Sequence, residues 1–308
     1  MSLLLDPRRY LSICGLQIQT ISDVKLNLDA AEKMMRANPG HDLYVLPELS
    51  SAGYGVDTFH CRERLAEPPL NGPSFNRFSR LAVELDAFVA YGILRRNIGD
   101  TYYICHVVVG PHGRPVCYYD KMHLCDMGAC AEGAQGVTAG AAEPCVFYCR
   151  GWTVGLCICY DLRFPELWRD LAWKRGADVV VHPSAFARDA TFPSWHSFVC
   201  ARAVENQVYV VSVSHAGEDF GGSIAHPPWL GPVADDDGDF DLAPALADDA
   251  APCALVCRLD RRALDAVRRQ FPYRKDARMF DGPPVVETSL HGEVASDWHA
   301  KIHGQKKK

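Results

Sequence analysis

The chain lacks any apolar run near the roughly 18 residues that cross a bilayer. Leu3 to Leu5 is far too short for the apolar core of a secretory signal. A soluble, cytoplasmic protein with no membrane partner is the expectation. A basic excess is missing too: net charge is -6 and the pI about 6.0. That leaves no electrostatic footprint for nucleic acid, and the closing Lys306-Lys307-Lys308 reads as a solvated tail. No repeat at solenoid periods is found. The cysteines Cys125 and Cys130, or Cys157 and Cys159, have no second spaced pair of the zinc-site form. Most of the thirteen cysteines stand in apolar runs and read as small buried hydrophobes, reduced in a cytoplasm. Neither a metal nor an organic cofactor is called for.

What is present is a globular composition, 48% hydrophobic and 23% charged, in which strand-like and helix-like patterns alternate. Tyr10 to Gln19 reads as a strand and Asp23 to Arg36 as a helix with Ser22 as N-cap. Leu43 to Leu46 is a short buried strand. Phe75 to Leu85 is a helix, and Ala87 to Leu94, Tyr102 to Val109 and Val116 to Tyr119 are strands. Then Thr153 to Ile158 (strand), Pro165 to Arg175 (helix), Val179 to His182 (strand), Trp195 to Asn206 (helix) and Val208 to Val213 (strand) repeat the alternation. Gly231 to Pro252, rich in Asp, Ala, Gly and Pro, reads as an exposed loop. Asp235, Asp237, Asp239 and Asp241 lack the glutamate that a calcium loop requires. Cys253 to Leu259 resumes as a strand and Arg261 to Arg269 as a helix. The whole predicts a layered α/β sandwich, one domain over residues 1–285 with a tail over 286–308.

Three strand ends carry candidate chemistry, and strand ends are where ligands collect in α/β folds. Cys159 follows the apolar run that ends at Ile158, where a nucleophile could stand. Glu48 follows Val45-Leu46-Pro47; burial there would raise its pKa and make it a base, although a capping or ion-paired glutamate is the plain alternative. Lys121 follows Tyr118-Tyr119-Asp120; it could stabilise an oxyanion or simply lie on the surface. His123, two residues on, leaves a Cys-His dyad open.

Taken in order, these segments resemble the nitrilase superfamily of carbon–nitrogen hydrolases. The resemblance rests on Leu46-Pro47-Glu48-Leu49 with Gly53-Tyr54, Lys121-Met122-His123-Leu124, and Gly155 to Glu166 with its Cys-Tyr-Asp-Leu-Arg-Phe-Pro-Glu. His182-Pro183-Ser184-Ala185-Phe186, Trp195 and Arg202 to Gln207 extend it. The motif form is most similar to the omega-amidase and deaminated-glutathione amidase branch. The resemblance implies a four-layer α-β-β-α sandwich, a homodimer or higher homo-oligomer, and a Glu48, Lys121 and Cys159 triad with Glu132 as a second glutamate. It further implies an oxyanion held by Lys121 and the Tyr160 backbone N–H, and hydrolysis of a small amide through a thioester, releasing ammonia.

A short carboxylate-bearing amide is the first substrate expectation, an N-carbamoyl compound the second and a nitrile the third; a non-catalytic scaffold of the same fold is the alternative from another class. Arg163 would hold the loop after Cys159 or face a substrate carboxylate. Phe186 and Trp195 would wall the pocket or pack beside it, and Arg202 and Glu205 would form an internal ion pair. One departure stands out: His226 replaces the family's Asp, in a region expected to border the pocket or a subunit interface.

Overall fold

The computed structural model describes residues 8–127, 131–235 and 238–278. The chain divides into two units, Met1–Pro272 and Tyr273–Lys308. In the first unit the chain begins with β1 (Tyr10–Gln17), α1 (Val24–Ala37) and β2 (Leu43–Val45). Short helices α2 (Val56–His60) and α3 (Arg62–Leu65) precede α4 (Pro73–Glu84) and the strands β3 (Phe88–Arg96), β4 (Tyr102–Val109) and β5 (Pro115–Asp120). The second half runs through β6 (Cys145–Cys149), β7 (Trp152–Leu156), α5 (Pro165–Arg169), β8 (Val179–Pro183), α6 (Trp195–Asn206) and β9 (Tyr209–Val213). It closes with β10 (Ile224–His226), β11 (Gly231–Asp235), β12 (Gly238–Leu242), β13 (Ala245–Leu246), β14 (Cys253–Asp260) and α7 (Arg261–Gln270). The described part of the second unit is a turn of helix, Tyr273–Asp276.

Two six-stranded sheets result, in the orders β14-β1-β2-β3-β4-β5 and β13-β10-β9-β8-β7-β6. Residue alternation makes the layers. In β1, Leu11 and Ile13 point into the core between the sheets, with Val45, Val154, Val181 and Val213. Cys14 and Leu16 point the other way, onto Leu28, Met35, Phe78 and Leu81 of α1 and α4. In the second sheet Val180 and Val210 face outward onto Trp168, Trp195, Val199 and Ala203. Strands apolar on both faces must be covered on both, which gives the order α-β-β-α expected from the family resemblance. The sheets meet closely: a Cβ on Gly15 would stand 2.8 Å from Val213 Cγ2.

Three local expectations change. Asp23, not Ser22, caps α1: its carboxylate accepts the Leu26 N–H at 3.0 Å. The helix expected over Pro165 to Arg175 is α-helical only to Arg169 and continues as a π turn, Asp170–Lys174, with Leu171 and Ala172 buried beside Trp168. The stretch from Gly231 contains a hairpin, β11 against β12. Its alternation was hidden by the acidic composition: Val233, Phe240 and Leu242 pack on Ala266 and Val267 of α7, while Asp239 and Asp241 stay exposed. Asp237 lies outside the described residues.

Candidate active site

Glu48 is delivered by the turn after β2, and that turn lies directly on Gly92 of β3. Ser51 N–H donates to the Gly92 carbonyl at 3.0 Å, and Gly92 N–H to Ser50 Oγ at 3.0 Å. A Cβ at position 92 would stand 2.4 Å from Leu49 N, so only glycine permits this approach. Leu49 itself holds a left-handed φ of 48°. Lys121 follows β5 and is aimed inward by its neighbour. Asp120 is gripped bidentately by Arg95, with both contacts at 2.7 Å, while Lys121 N–H donates to Ile104 O at 2.8 Å.

Cys159 begins a 3₁₀ turn, Cys159–Arg163, just past β7, with a left-handed φ of 46°. Such strain persists only where surroundings over-determine it, and here they do. Asp161 accepts the Ile158 N–H at 2.9 Å, the Tyr119 hydroxyl at 2.7 Å and the His123 ring at 2.7 Å. His123 is thereby committed to Asp161 and stacked on Phe164 at 3.7 Å. That arrangement gives it the work of holding the loop rather than of a base for the thiol. Arg202 Nε donates to Leu162 O at 3.0 Å and pairs with Glu205 at 2.9 Å, the expected internal ion pair, which supports the same turn.

Within this frame Glu48, Lys121 and Glu132 are all fully buried. Lys121 Nζ donates to Glu48 Oε1 at 2.8 Å and to Glu132 Oε1 at 2.7 Å. Glu132 also accepts the Tyr54 hydroxyl at 2.7 Å and the Cys125 N–H at 2.8 Å. Glu48 Oε2 accepts the Ala185 N–H at 3.0 Å, and the Cys159 thiol lies near enough to the same carboxyl to favour its ionised form. Burial lifts Glu48 to about 7, against the opposing pull of Lys121 and with further repulsion from Glu132. Burial alone would discharge Lys121, but Glu132 and Glu48 hold it well above its usual value. Burial, reinforced by Glu48, keeps the Cys159 thiol protonated at rest.

Two buried histidines escaped the sequence reading as supports. His182 Nε2 donates to Cys159 O at 2.9 Å, and its Nδ1 accepts from Ser212 Oγ at 2.7 Å. Ser212 Oγ accepts in turn the Trp195 indole N–H at 3.0 Å. His215 Nε2 donates to Glu48 O at 2.7 Å, with Thr20 Oγ1 on its Nδ1 at 2.9 Å. A carbonyl only accepts, so each Nε2 carries a proton, and burial, which disfavours the second proton, keeps each ring neutral. Burial holds both at about 4. The available signal was a polar residue inside an apolar strand, Ser212 between Val211 and Val213.

Cys159 opens onto a cavity of about 330 Å³. Tyr160, Arg163, Phe186 and Asp189 share its wall. The first N–H groups of a 3₁₀ turn have no partner inside it, which leaves the Tyr160 N–H available. Arg163 rests over aromatic faces, with Phe198 at 5.2 Å and Tyr160 at 5.8 Å. Trp195 is not in the wall; it is fully buried behind Phe186, stacked at 5.0 Å. His226 lies elsewhere, on a separate cavity with Asp239 and Asp241, its Nδ1 donating to Pro227 O at 2.7 Å. Cys157 is buried among the outward-facing residues of the second sheet.

Fold and site together define an α-β-β-α sandwich with a thiol, a carboxyl and an ammonium gathered at the seam between its sheets. The chain belongs to the carbon–nitrogen hydrolase family, whose model matches residues 11–240. It is 35% identical over 181 residues to deaminated glutathione amidase of Mus musculus, covering 54% of this chain and 55% of that one. It is 31% identical over 280 residues to omega-amidase NIT2 of Pongo abelii, covering 87% and 94%. The chain spans about half the length of the mouse relative and 64% of its counterpart in Rattus norvegicus. Among solved structures, Nit3 of Saccharomyces cerevisiae, a member of branch 10 of the nitrilase superfamily, matches with a TM-score of 0.73 at 24% identity, covering 86% and 96%. The XC1258 protein of Xanthomonas campestris matches with a TM-score of 0.74 at 22% identity, covering 90% and 100%. Those two likenesses are of fold.

Proposed function

We propose that the protein is an amidase that hydrolyses a small carboxylate-bearing amide through a thioester on Cys159, releasing ammonia. The observation that carries this reading is the buried Glu48–Lys121–Glu132 cluster with the Cys159 thiol beside Glu48, open to a 330 Å³ cavity. Glu48 takes the thiol proton as sulfur attacks the amide carbon. Charge on the carbonyl oxygen is met by Lys121 and the Tyr160 N–H. The C–N bond breaks as Glu48 passes its proton to the leaving nitrogen, and ammonia departs. Water then gives a proton to Glu48 and its hydroxide to the acyl carbon; the C–S bond breaks as Glu48 returns that proton to sulfur, and the product acid leaves as its carboxylate, its own proton passing to solvent. Glu132 fixes the Lys121 ammonium and so the distance between cation and base.

Arg163 supports the choice of a carboxylate-bearing substrate: it is a half-buried guanidinium on the cavity wall whose described contacts are aromatic faces. A cavity of this size accommodates a short acyl chain. The same reading includes a cytoplasmic homodimer, as the family resemblance implies. Light scattering of the purified protein tests the dimer.

Ammonia release is the test, using succinamate-like amides, N-carbamoyl amino acids and nitriles, with Cys159→Ala as the blank. Turnover that falls by at least about 10³-fold in that variant, with circular dichroism unchanged, is the expected result. Cys157→Ala should retain most of the activity. Loss with Cys157→Ala and retention with Cys159→Ala would overturn the assignment.

A further inference from the structure

The cavity at Cys159 carries one charge that the reading above leaves unused. Asp189, an exposed side chain, lines the same cavity as Arg163. One of its oxygens is committed: Oδ1 accepts the Thr191 N–H and the Thr191 hydroxyl, both at 2.7 Å. Among the described residues no other side chain donates to the carboxyl, whose further donor is its own backbone N–H. The neighbouring cation does not consume the carboxyl, because Arg188 turns away to Phe220 O at 2.6 Å and Asp249 O at 2.9 Å. The Thr191 hydroxyl, helped by Arg163, holds the Asp189 carboxyl below the usual carboxylate range, so it is ionised wherever the enzyme works.

Among the described residues Arg163 and Asp189 form no ion pair with each other or with any other side chain, although both face one cavity of about 330 Å³. Opposite charges serving only the fold gain by closing on each other. Unpaired on the lining of one cavity, they offer two points of opposite sign to something that enters it.

We propose that the preferred amide is zwitterionic, with Arg163 meeting its carboxylate and Asp189 Oδ2 meeting an ammonium group on the same small molecule. This rests on the amidase reading of Cys159 and narrows its substrate class to amides of the α-amino acid type. Charge matching at both ends orients the chain, so the third polar group, the amide, is turned toward the thiol.

Two matched pairs of probes test it: glutamine against glutaramate, and asparagine against succinamate. Within each pair the molecules differ only by the α-ammonium. For one pair at least, kcat/KM should favour the ammonium-bearing member by about three- to tenfold, the scale of one partly solvated ion pair. Asp189→Asn keeps the Oδ1 acceptor for Thr191 and removes the charge; it should bring that ratio to about one. A ratio of one or less in both pairs for the wild type, or a ratio that Asp189→Asn does not move, overturns the inference. So does ammonia from other amides but from neither pair. Failure of the underlying reading looks different: no amide at all would release ammonia above the Cys159→Ala blank.

Discussion

Glu48 is a carboxyl that burial has brought to about 7 while Lys121 sits 2.8 Å away. One cation between two carboxylates cannot neutralise both, and in a dry site the surplus charge is relieved by a proton. In the proposed mechanism this poises Glu48 to accept a proton from sulfur and return it to nitrogen near neutral pH. The sign follows: the thiol is activated only when Glu48 is ionised, so kcat/KM should rise as pH climbs through about 7 and then level off. A profile from pH 5.5 to 8.5 checks this. Glu48→Gln should abolish both the limb and the turnover, and a limb that persisted in that variant would assign it to another group.

At the scale of elements, the site depends on how close strands allow turns to come. Gly92→Ala would push a methyl carbon to 2.4 Å from Leu49 N. The turn that carries Glu48 would have to lift, costing about 1–3 kcal/mol of stability and displacing the base. Urea unfolding and ammonia release should fall together. Much at this scale was legible in the chain. The apolar runs at Leu43, Val179 and Val208 were strands because residues buried on both faces need no alternation, and the helix Trp195–Asn206 was found to the residue. The Glu48, Lys121 and Cys159 strand ends were visible for the same reason, since a charge or thiol interrupts each apolar run. Other features were hidden. β6 is short and half exposed, so its five residues carry little pattern. The β11–β12 hairpin was masked by its acidic composition, with Asp239 and Asp241 exposed on β12 between Phe240 and Leu242, which pack inward. The Tyr54, His182 and His215 contacts join residues far apart in sequence, and pattern within a segment cannot reveal them.

For the whole molecule, the buried neutral histidines set the acid limit. His106, His182 and His215 are held at about 3, 4 and 4 by burial, below the 6.5 of the free side chain. The unfolded chain binds protons at these positions first, so stability falls as pH drops below about 6.5 and continues falling to about 4. Glu48 has the opposite sign, because its folded-state value lies above the unfolded one; its contribution to stability declines as pH rises from about 4.5 to 7. His41 and His226, also lowered by burial, add to the loss, while Glu67, raised by burial, opposes it with Glu48; with the three fully buried histidines the largest contributors, stability should fall on acidification between 6.5 and 4.5. Urea midpoints at pH 7, 6 and 5 should drop steeply in that order. A flat series would mean that the histidines are charged in the fold.

The first sheet supplies Glu48 and Lys121, while the second supplies Cys159 and the Ala185 N–H that steadies Glu48. Neither half of the sandwich owns a complete reaction centre. The proposed reaction therefore depends on the docking of the two sheets: a chain cut between β5 and β6 should release ammonia from an amide only when the two pieces are mixed, and activity in either piece alone would refute the shared site.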